Sequence, residues 1–292
     1  MHILNNSITF VAEFINVSMY ALITGASSGI GKAYSTILAR DYSHDVLLVS
    51  NQENELKQLA EELSAKYGVK AIPYYSNLAR TEAAEELHTW CMENHVEVDI
   101  LINNAGMFFW QPLIEVPAAK VLTMLNLHMT TLAMLCRLFG EDMCRRGGRL
   151  RATDAGRNSG WILNMSSMTA YWTIPGIQCY NSTKAFVLSF SKSIWYEMKP
   201  YGVVVTALTP GAIDTPLYGL DDKTRRRLVW WNISFPPEKF AKIALQRMFK
   251  GKKKAMPGWV NHIAVPILKH LPDWAIFFAM KIAPQYKNIP LR

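Results

Sequence analysis

Four cysteines in 292 residues are too few for a disulfide framework. Cys91, Cys136, Cys144 and Cys179 show no C-x-x-C spacing, so they read as free thiols in a reducing, cytoplasmic setting. The seven histidines form no H-E-x-x-H or similar pattern, and no metal site is expected. Charged residues are only 18% of the chain against 50% hydrophobic. That balance excludes a disordered polyelectrolyte and leaves material for a substantial core. Residues 1–18 contain no Lys or Arg, so the basic start of a secretory signal is missing. Their apolar run, ITFVAEFI, is broken by Glu13 and falls short of the ~20 residues that a membrane span needs. The segment reads as an appendage ahead of the fold, or as sequence upstream of a functional start at Met19. Internal repeats and low-complexity tracts are also absent.

What charge there is gathers in one place. The net charge is +8, yet Lys223 to Lys254 alone carries +10, with Glu238 its one acid. This stretch is either a solvated face or a landing site for an anionic surface. A membrane is the partner expected there, and nucleic acid is not.

From residue 20 the pattern alternates short apolar runs with amphipathic segments. MYALITG, DVLLVS, VKAIPYYS, VDILINNAG, GWILNMSS and VVVTALTP read as strands. Helical segments lie between them, one of them long, from about Pro117 to Cys144. In NELKQLAEELSAKYG the apolar positions Leu56, Leu59 and Leu63 share a face, and Gly68 is a stop signal. Repeated βα units imply a doubly wound parallel α/β sheet of Rossmann type, with helices on both faces. The expected organisation is an appendage (1–18), one α/β domain (19–254) and a C-terminal extension (255–292). Arg145–Gly160, rich in Gly and Arg, reads as an exposed loop.

The first strand runs into TGASSGIG, with Gly25, Gly29 and Gly31 ahead of a helix. A turn this tight needs residues without Cβ, so that a pyrophosphate can approach backbone N–H groups and the positive end of the helix. At the end of the second strand stand Ser50 and Asn51. An Asp there would hydrogen-bond a ribose 2′-hydroxyl and repel a 2′-phosphate; its absence favours NADP(H) over NAD(H). Tyr180 and Lys184 lie four residues apart in YNSTK, on one face of a helix.

Together, TGASSGIG, NNAG (Asn103–Gly106), NMSS (Asn164–Ser167), Tyr180-x-x-x-Lys184 and PGAIDT (Pro210–Thr215) resemble the short-chain dehydrogenases/reductases over roughly residues 20–250. The resemblance implies an NAD(P)(H)-dependent oxidoreductase interconverting a ketone and a secondary alcohol. It makes Tyr180, Lys184, Ser167 and Asn126 the catalytic set, with Ser167 selected over Ser166 by its distance from the tyrosine. It gives cofactor contacts to Gly25, Ser27, Ser28, Gly29, Ile30, Gly31, Ser50, Asn51, Asn77, Asn103, Ala105, Tyr180, Lys184 and Thr215. Asn77 stands where the family often has an Asp near the adenine. A phenol with a pKa near ~10 is a poor acid at neutral pH; an adjacent ammonium favours the phenolate and makes it a better one. A homodimer or homotetramer is implied too, with Leu132, Leu135 and Leu138 as part of the contact. A non-catalytic redox sensor or scaffold of the same fold is the alternative, and the intact catalytic set speaks against it.

The substrate is expected to be an apolar, lipid-like carbonyl compound such as a fatty-acyl or steroid ketone. Met107, Phe108, Phe109, Trp110, Trp172, Ile174, Ile177, Trp230, Trp231 and Phe235 cluster around the motifs. KGKKK at 250–254, followed by apolar bursts up to WAIFFAM, suits an interfacial lie on an anionic membrane; the alternative is that these apolar residues close over the substrate pocket.

Overall fold

The computed structural model describes residues 19–150, 159–215, 217, 234–283 and 286. The appendage 1–18, most of the proposed basic stretch before residue 234, and Trp230 and Trp231 lie outside them. The chain opens with β1 (Met19–Thr24), α1 (Gly29–Tyr42), β2 (Asp45–Ser50), α2 (Glu53–Tyr67), β3 (Ala71–Tyr75), α3 (Ala83–Glu93) and β4 (Glu97–Asn103). It continues through α4 (Ala118–Leu125), a π turn (Asn126–Thr130), α5 (Thr131–Leu150), β5 (Gly160–Met165), α6 (Gln178–Met198) and β6 (Val203–Leu208). The small strands β7 (Ala212–Ile213) and β8 (Ser234–Phe235) pair with each other. The last elements are α7 (Pro237–Phe249), β9 (Lys254–Ala255), α8 (Trp259–Lys269) and α9 (Asp273–Ile282).

Seven strands form one parallel sheet in the order β3-β2-β1-β4-β5-β6-β9. The doubly wound parallel fold expected from the alternation is therefore the observed one. The inner strands are apolar along their length because helices cover both faces. One core cluster takes Ala21, Ile23, Ile100 and Ile102 against α1, α2 and α7; the other takes Leu22, Leu101, Ile162 and Val205 against α3, α5 and α6. In α2, Leu56, Leu59, Ala60 and Leu63 are buried, and Gly68 ends the helix at φ 69°, its N–H bonded to Ser64 O. The strand order switches sides between β1 and β4: β2 and β3 are added on one side, β4 and its successors on the other. That leaves a crevice at the carboxyl ends of these strands, where open parallel sheets bind ligands.

Three expectations need correction. The helix read as ending at Cys144 continues to Leu150, so Arg145–Leu150 is not loop. Two contacts hold it there: Arg146 bonds Val98 O, and Gly147 packs so closely that a Cβ would sit 1.8 Å from Tyr201 O. Glycine here serves close packing, not a turn. Leu132 and Leu135, assigned to a subunit contact, are instead buried in this chain's own core with Cys136, Phe139 and Met143. By length and composition Ala118–Gly147 is apolar enough to cross a membrane, but this inward face makes it a core helix. β9 straddles the expected boundary at 254/255, so the C-terminal extension begins inside the sheet.

Candidate active site

Strand ends build the crevice. Thr24, at the end of β1, is buried. Its Oγ1 donates to Ile102 O and accepts from the N–H groups of Asn104 and Ala105 at 2.9 Å each. Asn104 returns the tie, its Nδ2 donating to Thr24 O. The NNAG stretch and the glycine loop are thereby one unit. Gly25 and Gly29 adopt φ 65° and 53°, the left-handed region that favours glycine. A Cβ on Gly31 would lie 2.0 Å from Gly25 O. Ser28 precedes α1 without capping it, and no acid occupies the first turn. The N–H groups there are left for an anion.

A cavity of about 470 Å³ runs from this loop past the ends of β2 and β3 to α6. Its walls bring together Gly25, Ser27, Ser28, Gly29, Ile30, Ser50, Asn51, Asn77, Ala105, Ser167, Tyr180, Lys184 and Thr215, all singled out from the sequence. Three predicted residues stand outside it. Gly31 lies behind the loop. Asn103 ties β4 to β5, its Nδ2 donating to Asn164 Oδ1 at 2.8 Å. Asn126 opens the π turn and donates to Ala79 O at 3.2 Å, bracing the loop after β3. Gln52, Ser76 and Gly106, not anticipated, also line the cavity; each sits at or just beyond a strand end, which is the signal that would have found them. At the β2 end Ser27 Oγ lies 2.8 Å from Ser50 Oγ and donates to Gln52 Oε1 at 2.6 Å.

At the far end, Tyr180 and Lys184 project from the first turns of α6, both buried. Lys184 Nζ lies 5.4 Å from the centre of the Tyr180 ring and donates to Met165 O at 2.8 Å. Burial lowers the Lys184 pKa to about 8. Lys184 is the one charged side chain among the described residues lining the cavity. The neighbouring serines divide their tasks. Ser166 Oγ is spent on Lys184 O at 2.7 Å, whereas Ser167 Oγ accepts from Thr169 N–H and keeps its own proton to donate. Phe108 meets Tyr180 edge-on at 5.1 Å. Of the apolar residues picked out from the sequence, Met107 lines the cavity, while Phe109, Ile174 and Ile177 join the apolar cluster around Tyr180 with Met124 and are not among the lining residues. Phe235 packs into the core instead, and Trp110 is half exposed. The Thr215 hydroxyl is buried without a protein partner. With the glycine cradle, that orphaned group fits a nicotinamide dinucleotide laid across the strand ends.

The sequence profile described as short chain dehydrogenase matches residues 19–225. Over 193 residues, 66% of the chain, the protein is 31% identical to a probable oxidoreductase EphD of Mycobacterium tuberculosis; the match spans 31% of that relative's length. It is 26% identical to the human very-long-chain 3-oxoacyl-CoA reductase over 260 residues, 87% of this chain and 76% of the relative. Among solved structures, a short-chain dehydrogenase from Sphingobium yanoikuyae in complex with NADPH superimposes with a TM-score of 0.73 at 27% identity, covering 91% of this chain and 96% of that one.

Proposed function

Because this chain belongs to the short-chain dehydrogenase family of NAD(P)(H)-dependent oxidoreductases, we propose that it interconverts a ketone and a secondary alcohol on an apolar, lipid-like substrate, with NADP(H) preferred. One observation carries the reading. Tyr180 and Lys184 are buried where a glycine-cradled cleft meets an apolar cluster. The bound nicotinamide cofactor supplies or accepts the hydride. Tyr180 gives its phenolic proton to the carbonyl oxygen in reduction and takes it back in oxidation. The Lys184 ammonium favours the phenolate form and holds the nicotinamide ribose. Ser167 donates to the same carbonyl oxygen and stabilises the charge that develops there. Asn126 steadies the wall at Ala79 and holds a water leading to Lys184. Gly25 to Gly31 cradle the pyrophosphate, Ser50 and Asn51 meet the adenosine ribose, Asn77 the adenine, and Thr215 the carboxamide. No acid stands beside Ser50 to repel a 2′-phosphate. The chain assembles as a homodimer or homotetramer.

The substrate is drawn from a membrane surface in this reading. On α8, Asn261 and Val265 face inward, while Ile263 and Ile267 are exposed. α8 packs on the turn Met168–Tyr171 that follows Ser167. α9 has no buried residue; Trp274, Phe277, Phe278 and Ile282 are exposed on it. Lys250, Lys252, Lys254, Lys269 and Lys281 supply exposed positive charge nearby in the chain. Apolar side chains among lysines match an anionic leaflet.

A cofactor-oxidation screen tests the enzyme reading: NADPH and NADH against long-chain 3-ketoacyl thioesters, steroid ketones and short polar ketones. Turnover of apolar ketones with NADPH is expected; turnover of none, or of polar ketones alone, overturns it. Co-sedimentation with anionic and neutral vesicles tests the surface. Binding to anionic vesicles that high salt abolishes is expected, and no binding at low salt ends that part.

A further inference from the structure

His128, in the π turn, is buried and has no part in the chemistry above. It makes two hydrogen bonds in a chain of three that runs in one sense. The Met107 N–H donates to Nε2 at 2.9 Å, so Nε2 is the bare nitrogen and a neutral ring carries its proton on Nδ1. Nδ1 lies 3.0 Å from Thr183 Oγ1 and donates to it. Thr183 Oγ1 passes its own proton to Tyr180 O at 2.9 Å. The groups facing the ring hold it in that state. Burial, reinforced by the Lys184 ammonium, pushes its pKa well below the usual value, and a second proton on Nε2 would confront the Met107 N–H. The ring also stands edge-on to Tyr180, centroids 5.8 Å apart at 74°. Gly106 leaves room for this: a Cβ there would sit 3.2 Å from Nε2.

We propose that His128 is a positioning residue for Tyr180: through its Nδ1–H tautomer it ties the loop after β4, which walls the substrate side, to the first turn of α6, which carries the phenol. Other contacts also join that loop to that turn: Gln111 N–H to Gly176 O at 2.8 Å, Gln178 Nε2 to Gln111 O at 3.3 Å, and Phe108 edge-on to Tyr180; the imidazole is the tie whose hydrogen bonds run on to the Tyr180 carbonyl itself. Loosening it leaves the part-buried Met107 N–H without its acceptor and the Thr183 hydroxyl with its bond to Tyr180 O alone and lets the phenol drift, and small misplacements of a reacting group cost up to about 100-fold in rate. The proposal rests on Tyr180 being the acid.

Two measurements test it on the full chain. Nitrogen-15 NMR, with the His128 resonances assigned by their loss in His128→Gln, reads the tautomer directly. An Nδ1–H ring that does not titrate between about pH 5.5 and 8 is expected; an Nε2–H ring, or an imidazolium in that range, overturns the proposal. This readout needs no turnover, so it still decides if the proposed reaction is wrong. Kinetics then use variants at two links of the chain. His128→Gln replaces the rigid ring by a flexible amide that can accept from the Met107 N–H or donate to Thr183 Oγ1 without fixing the two together; Thr183→Val loses the next link. Each is expected to lower kcat about tenfold with KM and NADPH affinity within about twofold. Thr183→Ser restores the rate, and His128→Gln/Thr183→Val is no slower than the slower single, because both cut one chain. Losses confined to KM or cofactor affinity, no rescue by serine, or fully additive losses overturn it.

Discussion

The two ends of the cleft are built from different materials. The end that the proposed reading gives to the nucleotide is made mainly of backbone and short polar side chains of Gly25 to Gln52, with Ser76 and Asn77 beside them, held by Thr24, Asn104 and the Ser27–Ser50–Gln52 cluster. The other end, which the proposed reading gives to the substrate, has Met107 on its wall and backs onto large side chains drawn from well-separated segments: Phe108 and Phe109 after β4, Met124 from α4, Ile174 and Ile177 before α6. Phosphate recognition needs N–H groups at fixed spacing, which backbone supplies to any such ligand. An apolar pocket needs only volume and shape, which many side-chain combinations can supply. The first end therefore constrains the sequence tightly and the second loosely. Tyr180 and Lys184 stand at the seam.

Cutting the seam should give the largest effect. Tyr180→Phe is expected to keep the fold and NADPH binding while kcat falls by about 100-fold or more; turnover near the parent's would place the acid elsewhere. The next effect is set by pH. Lys184 titrates at about 8 because burial disfavours its charge. The ammonium that assists Tyr180 is therefore present below that pH and lost above it. For carbonyl reduction, kcat/KM should fall about tenfold per pH unit above 8, and a profile flat to about pH 10 would separate Lys184 from proton transfer. The smallest effect belongs to the nucleotide end alone. Ser50→Asp should move the NADPH/NADH ratio of kcat/KM about tenfold towards NADH, leaving kcat with saturating cofactor nearly unchanged. A parent enzyme already favouring NADH strongly would reverse that assignment.

The same contrast explains what could be read before any coordinates. The parallel sheet, the place of the glycine loop and the shared Tyr180/Lys184 face were legible, because strand ends and helical spacing fix where those groups go; the choice of Ser167 over Ser166 came from the resemblance alone. Gly147 misled, since a glycine that lets α5 approach Tyr201 looks in sequence like one that ends a helix. Leu132 and Leu135 misled because an apolar helix face carries no mark of whether it meets its own sheet or a partner. His128 was missed because a lone histidine has no spacing signature; its place is set by Met107 and Thr183, 21 and 55 residues away.

The burial of Lys184 has a thermodynamic side. A base that titrates at 10.5 in water and at about 8 here carries its charge at neutral pH at a disadvantage of about 3 kcal/mol. The unfolded chain does not bear that penalty. Between about pH 8 and 10.5 it holds more protons at this position than the native state, so stability should rise with pH across that window. Lys184→Met, of similar length and without charge, should accordingly raise the melting temperature at pH 7 while abolishing turnover. A lower melting temperature would mean that the bond to Met165 O outweighs the desolvation. Conformational stability and chemistry thus pull in opposite directions at one side chain, and the fold is less stable than its core alone would make it.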